Sequence, residues 1–255
     1  ENFPVASWLC PPRLRAPIAA IYHFARTADD IADEGMQSAG ERLQALTQLR
    51  QDFLAAASSN PKWQPMLSNL AQQIQLYQLP VQPLLNLLDA FEQDVLYTAQ
   101  KRRYTNMDEL ICYCERSANP VGRLLLHLYG VNDAQALQQS DDICTALQLI
   151  NFWQDLSEDL PRMRHYVPLD LELQYGNNRL TLLNHLLDDA QTRMLRGQAL
   201  VHRVPGRAGW ELRLVVQGGL RVLQKVRQLG PKAWTQRPTI SIVDMPVLLW
   251  RALLI

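Results

Sequence analysis

No segment of this 255-residue chain strings together the roughly 18–20 apolar residues that a membrane-spanning helix needs. The nearest candidate, Val243 to Ile255, is short and is broken by Asp244, Pro246 and Arg251. It reads as a core-docking helix, and an interfacial anchor with Trp250 at headgroup level stays open beside that reading. Cysteine is scarce: Cys10, Cys112, Cys114 and Cys144 form neither a CxxC pair nor a disulfide framework. Reduced thiols are expected, and with them a cytoplasmic protein, peripheral contact with the inner face of the membrane being the alternative. Cys112-Tyr-Cys114 has neither the spacing nor the partners of a zinc site, and the five histidines are scattered without forming a ligand set. Lys+Arg and Asp+Glu both number 25, so no net field recruits nucleic acid. P-loop, GxGxxG and GxSxG patterns are absent too. The chain opens at Glu1 with no visible signal peptide.

What is present is helix. Apolar residues make up 47% and charged residues 20%, a globular balance without a disorder signature. Three- and four-residue apolar spacing runs through Gly40 to Leu54, Leu84 to Tyr97, Leu180 to Val201 and Leu212 to Leu229. Short breaks fall at Ser58-Ser-Asn-Pro61, Leu79 to Pro83, Gly130 to Asp133, Tyr175 to Asn178, Val204-Pro-Gly206 and Leu229-Gly-Pro231. None is a linker, so one all-α domain over residues 1–255 is expected, with roughly eight to eleven helices.

Two acidic clusters carry the chemistry. Arg26-Thr-Ala-Asp29-Asp30-Ile-Ala-Asp33-Glu34 follows the apolar run Ile18 to Ala25, and Asn151-Phe-Trp-Gln-Asp155-Leu-Ser-Glu158-Asp159 follows Ile143 to Ile150. At about 100° per residue, Asp29 and Asp33 share one helix face, as do Asn151, Asp155 and Asp159. Stacked carboxylates on a partly buried helix repel one another and are costly to desolvate unless a cation sits among them. Oxygen ligands with no His or Cys nearby favour Mg²⁺, which shares its shell with water and substrate phosphates. The bland alternative is a solvated acidic surface, but two matching clusters on separate helices weigh against it. The first would also crowd a helix C-terminus, where negative charge is unfavourable.

Pro161 should end the second helix soon after Asp159, letting Arg164 and Tyr166 fold back towards the carboxylates to bind phosphate oxygens. Arg162 and Arg164 pairing with Glu158 and Asp159 as surface ion pairs is the equal alternative. Small residues at Ser117, Ala118 and Gly122, around Pro120, fit either a tight packing seam or room for a bulky chain.

At these residues the chain resembles the squalene/phytoene synthase family, essentially end to end. Glu1 to Ser7, Phe24 to Asp33, Ser117 to Gly122 and Asn151 to Asp155 look most like its members that turn presqualene diphosphate into hydroxysqualene for bacterial hopanoids. The resemblance implies an all-α isoprenoid synthase fold, helices around a central apolar cavity, and an enzyme using about three Mg²⁺ ions that bridge the diphosphate. By position, Asp29, Asp30 and Asp33 would hold one metal cluster and Asn151, Asp155 and Asp159 the other. Arg26, Arg164 and Tyr166 match diphosphate contacts, Tyr113 and Gln148 match cavity positions near the reacting carbons, and Ser7 belongs to a segment closing over the phosphate end. No nicotinamide is expected, since water would quench the cation. Neighbouring hopanoid-pathway enzymes are implied as partners. Two departures stand out: Gln154 replaces the arginine common in members that condense two prenyl diphosphates, and Met163 replaces a common glycine. Condensation of farnesyl diphosphate to presqualene diphosphate, squalene or phytoene is the runner-up, and a non-enzymatic assembly factor on this fold is the third reading.

Overall fold

The computed structural model describes residues 10–55 and 60–255, and no strand occurs among them. Among the described residues twelve α-helices follow one another: α1 (Pro12–Asp33), α2 (Ala39–Leu54), α3 (Gln64–Tyr77), α4 (Gln82–Gln100), α5 (Met107–Ser117), α6 (Asn119–Leu128), α7 (Ala134–Gln154), α8 (Leu156–Asp159), α9 (Leu169–Tyr175), α10 (Arg179–Gly197), α11 (Arg207–Leu229) and α12 (Met245–Leu253). The count exceeds eight to eleven because α8 and α9 are fragments of four and seven residues. Polar side chains set many of the starts. Ser38 and Glu41 form a reciprocal capping box on α2, and Asn106, Asp133 and Asn178 each accept from the backbone of the first turn of α5, α7 and α10.

The helices bury two apolar clusters. One gathers α1 to α4 around Phe24, Leu46, Leu70 and Leu88; the other gathers α5, α7, α10 and α11 around Trp153, Leu149, Leu186 and Val226. Tyr129 packs against both. α7 is the central member, packed on α5, α6, α10 and α11, and it is buried on most of its circumference. The α5–α6 joint is a kink: Ala118 leaves the helical region, and Pro120 sits in the first turn of α6, where its missing N–H costs no hydrogen bond. Gly122 is a seam residue, since a Cβ there would run into Ser140 Oγ and Cys144 Sγ on α7.

α12 lies along α11, held by Asp244 at its start. Lys225, the Ser241 backbone N–H and Arg221 hold that buried carboxylate below the usual range. α12 thus docks through a buried ionic clasp, as well as through Leu248 and Ala252.

The close approach of α10 to α7 depends on Gly197, where a Cβ would stand 2.5 Å from the Gln139 carbonyl oxygen and 2.7 Å from Ile143 Cγ1. Backbone cannot yield as a flexible side chain can. Gly197→Ala should therefore cost about 2 kcal/mol by forcing the two helices apart, read as a lower midpoint in urea unfolding. An unchanged midpoint would mean the seam is looser than this geometry.

Candidate functional site

The first acid segment ends α1. Leu14, Ile21, Phe24 and Ala28 turn into the core, leaving Arg26, Asp29, Asp30 and Asp33 on other faces. The last turn holds no basic residue, so these carboxylates sit at the negative end of the helix dipole and need a cation. Arg26 supplies one, with Nη1 3.0 Å from Asp29 Oδ2, Nε 2.7 Å from Asp30 Oδ1 and Nη2 2.8 Å from Glu34 Oε1. The Asp30 contact is an ion pair without hydrogen-bond alignment, so its Oδ1 stays unsatisfied. Asp33 is served from elsewhere in the chain: its carboxylate accepts from Arg164 Nη2, 131 residues away in sequence.

The second segment is not the unbroken helix that the spacing of Asn151, Asp155 and Asp159 suggests. α7 stops at Gln154, Asp155 adopts φ −99° and ψ 11°, and α8 restarts at Leu156. Hydrogen bonds from Asp155 N to Asn151 O (2.9 Å) and Asp159 N to Asp155 O (2.8 Å) carry the chain through the kink. Two consecutive side chains there are tied to one distant strip: Gln154 Nε2 donates to the Pro238 carbonyl at 2.7 Å, and Asp155 accepts from Arg237. Gln154 is thus a buried anchor whose side chain is spent on the Pro238 carbonyl. Pro161 ends α8 as expected, a single 3₁₀ turn follows, and Met163 turns the chain in the left-handed region at φ 62°. Arg164 then points back, to Asp33 and not to Glu158 or Asp159. Arg237, 3.6 Å from Glu158 as well, takes the role expected of Arg162.

Two cavities meet beside α1. A polar pocket of about 640 Å³ is lined by Asp29, Asp33, Asp94, Arg42, Arg162 and Arg164 among others. An apolar cavity of about 400 Å³ lies between α1, α4, α6, α7 and α11, walled by side chains such as Ile21, Phe91, Leu125, Ile143 and Leu212. Arg26 and Asp29 border both. Gly122 lines the apolar cavity as well as the helix seam, so at Gly122 both readings of the small-residue motif hold, while Ser117 and Ala118 do not line the cavity. Cys144 and Leu147 of α7 also face this cavity, and Gln148, Asn151 and Asp155 continue along the same side of the helix towards the acids. Gln148, Asn151, Asp155, Asp159, Tyr113 and Tyr166 line neither cavity. Ser7 lies outside the described residues.

Asp94 has no motif around it, only an ordinary amphipathic pattern in α4, and sequence reasoning passes over it. It lies on the polar pocket and accepts a short hydrogen bond from the Tyr113 hydroxyl. Burial pushes its carboxyl up to about 7, opposed by the Tyr113 hydrogen bond and reinforced by Asp33. Burial likewise pushes Asp29 up to about 6, with repulsion from Asp33 adding to it, and Asp159 up to about 6 against the pull of Arg164. Tyr113 and Tyr166 are held neutral, raised well above 10 chiefly by burial. Tyr166 stacks on Phe152 at 3.8 Å and 12°, and lies 6.1 Å and 6.2 Å from the rings of Tyr104 and Tyr113. A wall of four aromatic rings therefore stands next to the carboxylates.

As the side chains stand, no three Asp, Glu, His or Cys groups among the described residues are close enough to hold one ion. Arginines occupy the carboxylates instead. The donor set is nevertheless all oxygen, under-neutralised and beside an open pocket. That suits Mg²⁺, which keeps several waters and takes only one or two protein carboxylates along with phosphate oxygens.

The squalene/phytoene synthase family description matches residues 1–244. A hydroxysqualene synthase of Rhodopseudomonas palustris is 40% identical over 172 residues, which are 67% of this chain and 56% of that protein. One from Sinorhizobium fredii is 33% identical over 245 residues, 91% of this chain and 81% of that protein. The solved structure of squalene synthase HpnC from Alicyclobacillus acidocaldarius aligns at TM-score 0.78 and 31% identity, over 89% of this chain and 88% of that one. The chain thus spans little more than half of the first relative.

Asp29, Asp94 and Asp159 retain protons in the folded state that the unfolded chain has already lost, so their contribution to stability falls as pH rises from about 4 through about 7. A cation that relieves them should act most where they are ionised. Mg²⁺ with inorganic diphosphate should raise the thermal midpoint more at pH about 8 than at pH about 5. Equal shifts at both would place the ions away from these acids.

Proposed function

Because the chain belongs to the squalene/phytoene synthase family, we propose that it converts presqualene diphosphate into hydroxysqualene and diphosphate. The observation that carries the reading is the junction of an acidic, arginine-bearing pocket with an apolar cavity at Arg26 and Asp29. A molecule with a diphosphate head and hydrocarbon chains needs such a pair of adjoining spaces, one for each chemistry.

About three Mg²⁺ ions, held by Asp29, Asp30 and Asp33 on one side and Asn151, Asp155 and Asp159 on the other, would supply Lewis-acid neutralisation of the leaving diphosphate. Arg26 and Arg164, now tied to Asp29, Asp30 and Asp33, would then be free to turn to the leaving group. Arg26 and Arg164 donate to diphosphate oxygens as the carbon–oxygen bond breaks and the leaving group takes the electron pair. Tyr113, Phe152 and Tyr166, all neutral, form an uncharged aromatic wall beside Asp94, behind the space where the cationic hydrocarbon is left. Gln148 and Asn151 carry the α7 face from the hydrocarbon end to the phosphate end. The apolar wall keeps bulk water out until rearrangement is complete, after which one water adds and loses a proton. No reductant enters this scheme, so no nicotinamide is required.

The test is an incubation of purified protein with Mg²⁺ and without NADPH, offering presqualene diphosphate or farnesyl diphosphate, with products identified by mass spectrometry. Hydroxysqualene from presqualene diphosphate is expected. Turnover of farnesyl diphosphate would make the chain a condensing synthase instead, and silence with both would leave the assembly-factor reading. Asp29→Ala and Asp155→Ala should each lower kcat by about a hundredfold or more. Arg237→Gln, which strips Asp155 of its cation without touching a carboxylate, should raise the Mg²⁺ concentration needed far less than either alanine variant does.

A further inference from the structure

The outer face of α12 has no polar side chain on it. At about 100° per residue, Leu248 and Ala252 point into the core, while Met245, Pro246, Leu249, Trp250, Leu253 and Leu254 fill a continuous outward half-circle. Ile242 and Val243 extend that face just before the helix, and the seven large side chains Ile242, Val243, Met245, Leu249, Trp250, Leu253 and Leu254 are each at least 42% exposed. A helix apolar on both sides is ordinarily buried on both, and an exposed apolar patch of this extent marks an interaction surface.

Its position matters. Asp244 at the start of α12 is bonded to Arg221 and Lys225, while Arg213 reaches the Ala252 carbonyl near its end at 3.4 Å. α12 therefore runs antiparallel along α11, towards the first turns of α11. Those turns carry Ala208 and Leu212, which line the apolar cavity, and the exposed Trp210, whose ring lies 5.1 Å from the Arg213 guanidinium. The patch thus leads to a wall of the cavity. Arg213 and Arg251 flank it, held by the Ala252 carbonyl and Gln224, and Arg207 opens α11 one turn from Trp210; none is paired with a carboxylate among the described residues. An apolar face with two tryptophans and a fringe of arginines whose charge no carboxylate neutralises complements an anionic lipid surface in both chemistries.

We propose that α12 and Trp210 dock this protein on an anionic membrane, lying in the interface without crossing it. No helix here is long and apolar enough to span a bilayer. That docking delivers a water-insoluble chain to the cavity rests on the proposed function; the docking itself does not.

Full-length protein is sedimented with vesicles of phosphatidylcholine alone, or mixed with phosphatidylglycerol, and its oligomeric state is measured in parallel. Wild type should pellet with the mixed vesicles, and Leu249→Glu with Trp250→Glu should lower the partition coefficient about tenfold or more. Arg207→Gln should weaken binding to the mixed vesicles only. Leu253→Gln with Leu254→Gln serves as a second pair should the first lose helical circular dichroism. Wild type remaining in the supernatant, or partition unchanged by both pairs, would overturn the proposal. A dimer dissolved by these substitutions would overturn it in favour of a second copy. Because no product is measured, this result and that of the incubation can fail independently.

Discussion

Uncompensated carboxylates beside a half-dry pocket are the constraint on which the rest of this structure depends. Asp29, Asp30, Asp33 and Glu34 stand at the C-terminal end of α1, where the dipole adds to their mutual repulsion. Asp155, Glu158 and Asp159 stand at the kinked end of α7. Three arginines answer them. Arg26 works within α1, Arg237 arrives from the segment after α11, and Arg164 crosses from the second acid segment to the first. The last is the only one of these three pairings that ties the two acid-bearing segments together. A partly exposed ion pair of this kind is worth little in stability. The same guanidinium that holds the segments together is available to an anion once another cation takes Asp33.

The apolar cavity follows from the division of the core. The cluster around α1 to α4 and the cluster around α7, α10 and α11 are each densely packed, yet between them about 400 Å³ stays unfilled. Protein interiors normally close such gaps, since each missing contact forfeits dispersion energy. Here α6 and α7 are brought into close contact by Gly122, which leaves no side chain to fill the space on the cavity side. Hydrocarbon chains in that space would restore the contacts the protein forgoes. Substrate and core are in that sense complementary halves of one packing problem.

Much of this was legible in the residues. The apolar spacing placed α2, α4 and most of α10 within a few positions, and the two acid motifs lie where a polar pocket and its neighbouring kink are found. The misses share a cause. The pattern of α11 begins at Leu212, but the helix starts at Arg207, because Gly209 fits a close approach to the Val204 and Val201 carbonyls that no local pattern reports. The break at Asp155 is imposed from outside by Pro238 and Arg237. Asp94 and Arg237 join the site only through tertiary contacts, from an ordinary amphipathic helix and an unpatterned loop. Local spacing encodes faces of helices; it does not encode which distant cation will be pulled to which face.

Met163 shows how such long-range demands override local preference. Its φ of 62° lies in a region that costs a residue with a Cβ about 1–2 kcal/mol, and glycine would sit there freely. The strain is retained at one point, the residue immediately before Arg164. A right-handed turn at 163 would carry on the 3₁₀ path of Leu160–Arg162 and direct the next side chain away from α1. The left-handed turn reverses the chain, lets Arg164 N bond the Asp159 carbonyl at 3.0 Å, and leaves the guanidinium pointing at Asp33. Strain held beside a charged group, offset in part by that local hydrogen bond, is what a site shaped for geometry shows. With methionine the turn is held by its contacts, so the aim of Arg164 and the integrity of the Asp33 pair are coupled: what loosens one loosens the other.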